Sequence, residues 1–409
     1  MARLQKNANA IAAVDLGASK AACLIALMDP ARPDAPPKII GAACRPVSSA
    51  RAGLALSEFE ASIRAAVGAA EEKAGVMVRK ALLAISGRRV RSRRLIVETA
   101  LAGRVATLED LAATRAAGAD AAAPDDFEVL HALPIAFSVD GDGGWMDPCG
   151  LSGDVLELDM LGVSARASAV RHLETAVEAA HLEVCGVAAA PYASALATTI
   201  SEERDLGCLV LDMGASETGF AAFERGRLVA CGAAPLGGEH VTRDIARVFG
   251  VASADAERLK VVHGSCIADA RDMETARARA LGGGGELEID QGALRAVIAP
   301  RVEETFEQVR LRAAEAGVDA RVIRHIVLTG GASALTGSRE VAERVFGRGA
   351  RLGKPIFAEG APVSASGPAY AAVYGTLQAG LAEDTPEAEE EPRFSIPAPS
   401  WARRLMARL

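Results

Sequence analysis

Buried-strand patterns recur at three places along the chain, and two of them are nearly the same pattern. Residues 11–16 form an apolar run interrupted by Asp15. The turn Gly17-Ala18-Ser19-Lys20 follows, and then a second apolar run from Ala21 to Met28. Residues 208–213 repeat this: Cys208 to Leu211, then Asp212, the turn Gly214-Ala215-Ser216, and a further apolar run from Gly219 to Phe223. Short apolar runs bounded by small turn residues predict buried strands, and two joined this way predict a hairpin. The third run, Ile326 to Thr329, ends in Gly330-Gly331 with Ser333 just behind, and predicts a strand passing into a helix through Arg339 to Phe346. Val155 to Leu161 alternates apolar and polar positions, the period of a half-buried strand.

The final ten residues are amphipathic: Trp401, Ala402, Leu405, Met406 and Leu409 share one side, and Arg403, Arg404 and Arg408 take the other. Ten residues cannot span a bilayer, which needs roughly 20 apolar ones, and so short a helix is marginal in water. The pattern suits a membrane surface. A terminal helix docked on the protein's own core is the alternative. The preceding stretch, Glu383 to Pro399, is acidic and proline-rich, a composition that stays extended and solvated, and it argues for a tethered tail.

Composition sets limits. A chain of 409 residues can build two domains or more. Only 4% of residues are aromatic, so the cores must be built from Leu, Val, Ile and Ala. A net charge of −8 argues against general nucleic-acid binding. The seven cysteines (Cys23, Cys44, Cys149, Cys185, Cys208, Cys231, Cys266) stand singly and read as reduced thiols of a cytoplasmic protein. Asp15 and Lys20 interrupt the first apolar stretch, which is therefore neither a signal peptide nor a membrane span.

The chemistry lies in the turns. Gly, Ala and Ser let backbone N–H groups approach a polyanion closely. An aspartate beside each turn can hold a hydrated Mg²⁺. Two such hairpins about two hundred residues apart point to duplicated domains facing each other across a phosphate. At the third strand, Gly330-Gly331 lets backbone lie flat against a planar ring or a ribose.

These three segments resemble the phosphate and adenosine motifs of the actin, Hsp70 and sugar-kinase superfamily. Within it, the chain is similar to the FtsA family of bacterial actin-like cell-division proteins, on four further features. Gly237 to Ala246 (GGEHVTRDIA) resembles the family's GG-x-x-x-T-x-DIA segment, and Ser253 to Gly264 (SADAERLKVVHG) its A-E-x-x-K-x-x-x-G helix. Val297 to Glu304 (VIAPRVEE) resembles its I-x-P-R helix start, and the amphipathic C-terminus its membrane-targeting helix. The resemblance implies an α/β actin-like fold: a duplicated, ribonuclease H-like two-domain ATPase fold with a 1C subdomain inserted in place of 1B. The implied order is 1A over 1–84 and 163–203, 1C over 85–162, 2A over 204–236 and 301–382, and 2B over 237–300. A linker over 383–399 and a membrane-targeting helix over 400–409 complete it, and Gly282–Gly285 falls in 2B as a flexible loop. The same order implies a helix Arg171–Ala180 returning the chain to 1A and a helix Pro300–Gly317 after 2B, with its proline near the first turn.

ATP and Mg²⁺ are the implied cofactors. Asp15 and Asp212 would orient the metal through its waters. Gly17, Ala18, Ser19 and Lys20, with Gly214, Ala215 and Ser216, would line the phosphates. Glu257 and Lys260 would face the ribose and adenine opposite Gly330, Gly331 and Ser333. Read as residues alone, Glu257 and Lys260 fit an exposed i,i+3 salt bridge equally well. Arg301 matches the arginine of the I-x-P-R segment and implies a contact with the C-terminal peptide of FtsZ. Trp401, Arg403, Arg404, Leu405, Met406, Arg408 and Leu409 would engage anionic lipids on the cytoplasmic face of the inner membrane at the division septum. There the subunits would form filaments, and 1C would recruit later divisome proteins. Nucleic acid is not among the implied partners.

The sequence also departs from the superfamily. Ala18 stands where many members carry threonine. Met213-Gly214-Ala215-Ser216 puts side chains where glycines usually run on. Ala188-Ala189-Ala190 occupies the region where catalytic relatives place a Glu or Gln that positions water. Binding with slow or no turnover, a scaffold rather than an enzyme, is the expectation. Two other readings share the fold: a PilM-like adaptor of pilus assembly, which the tethered basic tail argues against, and a small-molecule kinase, for which no acceptor-facing base is evident. Five arginines in Arg88 to Arg94 read as a solvated loop or as a contact for anionic lipid or an acidic partner tail.

Overall fold

Two five-stranded sheets built to one strand plan form the body of the protein, in a computed structural model that describes residues 5–6, 9–28, 37–47, 56–268, 270–356 and 360–382. In the first, β2 (Ala10–Leu16) pairs antiparallel with β3 (Lys20–Leu27), and β3 with β4 (Lys38–Pro46). On its other side β2 takes β6 (Lys80–Ile85) in parallel, and β6 takes β11 (Glu183–Ala189). The second sheet repeats every step. Strand β12 (Cys208–Met213) pairs antiparallel with β13 (Thr218–Glu224), and β13 with β14 (Arg227–Ala234). Then β17 (His325–Thr329) and β18 (Gly349–Leu352) add in parallel. Both predicted hairpins are therefore present, and each opens one sheet. A minor parallel pair joins β1 (Gln5–Lys6) to β5 (Val76–Met77).

Helices cover the sheets as their apolar faces require. Helix α1 (Leu56–Ala74) and α3 (Ala167–Ala179) pack on one face of the first sheet through Ile63, Ala66, Ala70, Val170 and Leu173. On the opposite face, α4 (Ala190–Thr198) crosses α10 (Ala371–Ala382), where Val373, Tyr374 and Leu377 meet Leu24, Ile39 and Leu82. Short α5 (Ser201–Leu206) leads into the second sheet. That sheet is backed by α8 (Gln291–Glu315) and α9 (Ser338–Phe346). Helices α6 (Gly238–Phe249) and α7 (Ser253–His263), with the β15 (Thr275–Arg279) and β16 (Glu286–Asp290) hairpin, form a satellite on α8.

An inserted unit lies between β6 and α3. Its sheet has the order β7-β10-β8-β9, from β7 (Val90–Ala100), β8 (Phe127–Val139), β9 (Asp142–Trp145) and β10 (Val155–Arg166). Helix α2 (Leu108–Ala121) covers one face and starts with a capping box between Thr107 and Asp110. The alternation predicted from Val155 onward is seen in β10 as far as Asp159, where Leu156 and Leu158 are buried between half-exposed neighbours, and from Met160 to Ala165 the strand is buried throughout.

Several expectations need correction. The helix expected to start at Pro300 starts at Gln291, so Pro300 lies inside it. A proline there forfeits a backbone hydrogen bond, but Leu294, Ile298, Val302, Phe306 and Val309 form one buried stripe on both sides of it, and that packing carries the helix through. The helix expected from Arg171 starts at Ala167, whose N–H donates to the Asp126 carbonyl at 2.9 Å. The loop expected at Gly282–Gly285 is present, as the connection of the β15–β16 hairpin, with Gly282, Gly283 and Gly285 at positive φ. The arginine cluster is strand more than loop: Arg91, Arg93 and Arg94 lie on β7, and Arg94 forks onto Asp159 of β10. The linker and tail, 383–409, lie outside the described residues, and with them Trp401, Arg403, Arg404, Leu405, Met406, Arg408 and Leu409. Among the described residues no helix is long and apolar enough to cross a membrane.

Candidate functional site

Each hairpin turn is closed by the same hydrogen bond. The Gly17 N–H donates to the Lys20 carbonyl at 2.9 Å, and the Gly214 N–H to the Glu217 carbonyl at 2.9 Å. The second turn is the tighter of the two: a Cβ on Gly214 would lie 2.9 Å from that same carbonyl oxygen, against 3.4 Å at Gly17. Between the turns opens a cleft of about 1110 Å³. Of the residues singled out in the sequence, Ser19, Lys20, Gly214, Ala215, Glu257, Lys260 and Gly331 line it. Gly17, Ala18 and Ser216 complete the turns without forming its wall. Ser333 is 1% exposed and donates its hydroxyl to the Gly330 carbonyl at 2.7 Å, so it shapes the glycine turn from behind.

Behind the turns sit the two aspartates. The Asp15 carboxyl is pushed up to about 6, chiefly by burial, with Lys20 pulling it back down and Asp212 and Glu217 adding repulsion. Burial also raises Asp212, opposed by a hydrogen bond from Ser194 and by Lys20. A pair of acids that burial holds above the usual carboxylate range, beside a single lysine, is short of positive charge. Such a donor set suits a hydrated divalent cation. The pH dependence follows. Native Asp15 keeps its proton between about pH 4 and 6 where the unfolded chain has lost it, so its contribution to stability falls as pH rises through that interval. Asp15→Asn is therefore expected to match the wild type near pH 4 and exceed it by about 2–3 kcal/mol at pH 7 without divalent cations. Urea titrations at the two pH values check this, and a constant difference would refute it.

Lys260 anchors the far wall. Its Nζ donates to Glu257 at 2.7 Å, to the Thr242 hydroxyl at 2.8 Å and to the Gly238 carbonyl at 3.1 Å. The Glu257–Lys260 pair is thus both an i,i+3 salt bridge and part of the cleft. On the near side Lys20 Nζ donates to the Ala369 carbonyl and lies 5.8 Å from the centre of the Tyr370 ring. The Gly330 N–H donates to the neighbouring Pro368 carbonyl at 3.2 Å, so one short segment touches both halves of the cleft.

Three contributors have no site role legible in the sequence. Gly237 must be glycine, because a Cβ there would lie 2.6–2.8 Å from Gly214 O, Ala215 O and Glu217 N. Next to it, the N–H groups of Gly238 and Glu239 donate to the Gly214 and Ala215 carbonyls at 3.0 and 2.8 Å, seating α6 on the second turn. The adjacent glycines were the available signal. Pro368-Ala369-Tyr370 and Ser194 offered none. Arg301 is placed elsewhere: its guanidinium forks onto Asp244 of α6 and reaches Glu304, pinning α6 to α8.

A duplicated sheet, two matched turns, a glycine turn on the third strand and a cleft between them define an actin-like protein with an inserted subdomain. Solved structures agree on the fold. The PilM–PilN type IV pilus biogenesis complex matches with a TM-score of 0.63 at 20% identity, over 91% of this chain and 98% of that one. MreB5 of Spiroplasma citri bound to ADP matches at 0.52 and 12% identity, over 91% and 96%. Residues 209–375 match the family described as cell division protein FtsA, and residues 87–164 the SHS2 domain inserted in FtsA. Cell division protein FtsA of Rhizobium meliloti (strain 1021) is 36% identical over 390 residues, covering 91% of this chain and 87% of the relative. That of Escherichia coli (strain K12) is 28% identical, covering 97% and 96%. The chain belongs to the FtsA family of cell division proteins.

Proposed function

We propose that this FtsA-family protein binds ATP with Mg²⁺ in the cleft and polymerises at the cytoplasmic face of the inner membrane. There it tethers FtsZ filaments and recruits later division proteins through the inserted unit. The matched turns facing one cleft carry this reading. They offer backbone N–H groups and Lys20 to a polyphosphate, and Gly331, Glu257 and Lys260 to a nucleoside. Asp15 and Asp212 would hold Mg²⁺ through its waters, and the metal would supply charge neutralisation for the phosphates. A relative in fold is described with bound ADP. The alanines at 188–190 leave no carboxylate or amide there to orient water, which fits slow turnover. Titration with ATP in Mg²⁺ tests the reading. Wild type should bind, Asp212→Ala should lose much of the Mg²⁺-dependent affinity, and turnover should fall well below the enzyme median of about 10 per second. A fast ATPase would favour a kinase-like role.

The FtsZ peptide is assigned to the satellite unit around α6 and the adjoining part of α8. Arg301 supports that surface by its fork onto Asp244. Arg301→Glu sets a third carboxylate beside Asp244 and Glu304, and is expected to cost about 1–3 kcal/mol of stability while weakening peptide binding. Unchanged peptide affinity in the folded variant would remove Arg301 from the surface.

A further inference from the structure

Ser194 is fully buried on α4, and its Oγ lies 2.5 Å from Asp212 Oδ2. The hydroxyl is the donor, because an ionised carboxylate only accepts. The helix is seated to aim it there. The Pro191 ring packs against Gly219 of the second hairpin, where a Cβ would come within 2.7 Å of Pro191 Cγ. One turn below, the Thr198 hydroxyl donates to the Ser194 carbonyl at 2.7 Å. The other carboxylate oxygen is confined as well: Asp212 Oδ1 lies 2.3 Å from where a Cβ on Gly330 would stand, so nothing larger than hydrogen fits beside it. Turning the carboxylate would break the serine bond and press an oxygen into the glycine turn.

We propose that Ser194 is a positioning residue for the metal-bound nucleotide, fixing the orientation of Asp212 from the helix that follows the first sheet. The proposal rests on the nucleotide reading of the cleft. A hydroxyl bound to a carboxylate makes a charge-assisted hydrogen bond, about twice as strong as a neutral one. Ser194 therefore acts through Asp212 and touches no ligand itself. Helix α4 packs against strands of both sheets, so the carboxylate that Ser194 holds is tied to the first sheet as well as to the second.

The experiment titrates the full-length protein with ATP, in Mg²⁺ and in EDTA, for wild type, Ser194→Ala and Ser194→Thr, with melting curves to confirm folding. Ser194→Ala should lose about tenfold in affinity in Mg²⁺ and change little in EDTA. Ser194→Thr, which keeps the hydroxyl, should recover most of the loss. Equal losses in both conditions would show a merely structural residue and overturn the proposal, as would full affinity in Mg²⁺. Wild-type protein that binds ATP in neither condition would overturn the nucleotide reading and this proposal together, and the wild-type titration tells that failure apart from a failure of Ser194 alone.

Discussion

Gly375→Ala should destabilise the protein by about 3–5 kcal/mol, whereas Gly68→Ala should stabilise it by about 0.5–1 kcal/mol. The two substitutions are chemically identical and both fall within helices. At position 375 a Cβ would stand 1.6 Å from the Ala193 carbonyl oxygen, a backbone atom, where α10 crosses α4. No rotamer change relieves that overlap. The helices must separate, and Val373, Tyr374 and Leu377 lose part of their contact with Leu24, Ile39 and Leu82. At position 68, on the exposed side of α1, a Cβ meets nothing within 4 Å and only lowers the entropy of the unfolded chain. Urea midpoints of the two variants measure the contrast. Shifts of the same sign would mean that the helix crossing does not control stability.

Removing residues 400–409 should abolish pelleting with anionic vesicles while leaving ATP binding intact. Arg403, Arg404 and Arg408 would contribute about 1 kcal/mol each near an anionic surface. Burying Trp401, Leu405 or Met406 fully would add about 1.5–3 kcal/mol apiece, and interfacial burial gives less. One tail would therefore attach reversibly, and tails from neighbouring subunits of the proposed filament would gain avidity. Added salt should weaken the wild type, and Trp401→Glu should release it. A chain ending at Pro399 that still pellets would place the anchor elsewhere.

The parts of the fold that were legible in the sequence are those written in contiguous residues. Both hairpins, the Gly330-Gly331 turn and the alternating strand at Val155 carry their own period and punctuation. The missed parts depend on distant partners. Pro300 signals a helix start, and only the buried stripe from Leu294 to Val309 overrides it. The roles of Ser194, Gly237 and Ala369 exist because α4, α6 and the segment before α10 converge on the turns, which no local pattern encodes. Arg301 shows the converse: the motif located it, but its Asp244 partner lies 57 positions away.

The two turns share a backbone hydrogen bond and differ in the residue that closes it, Lys20 in one and Glu217 in the other. Of these two side chains, Lys20 reaches the wall of the cleft and Glu217 does not. The repeat is thereby copied in backbone and broken in charge. A polyanion placed between the turns would meet a cationic side chain from the first and only small residues from the second. A duplicated scaffold with identical turns would accept such a molecule in either direction, and the unlike pair gives the cleft a heading.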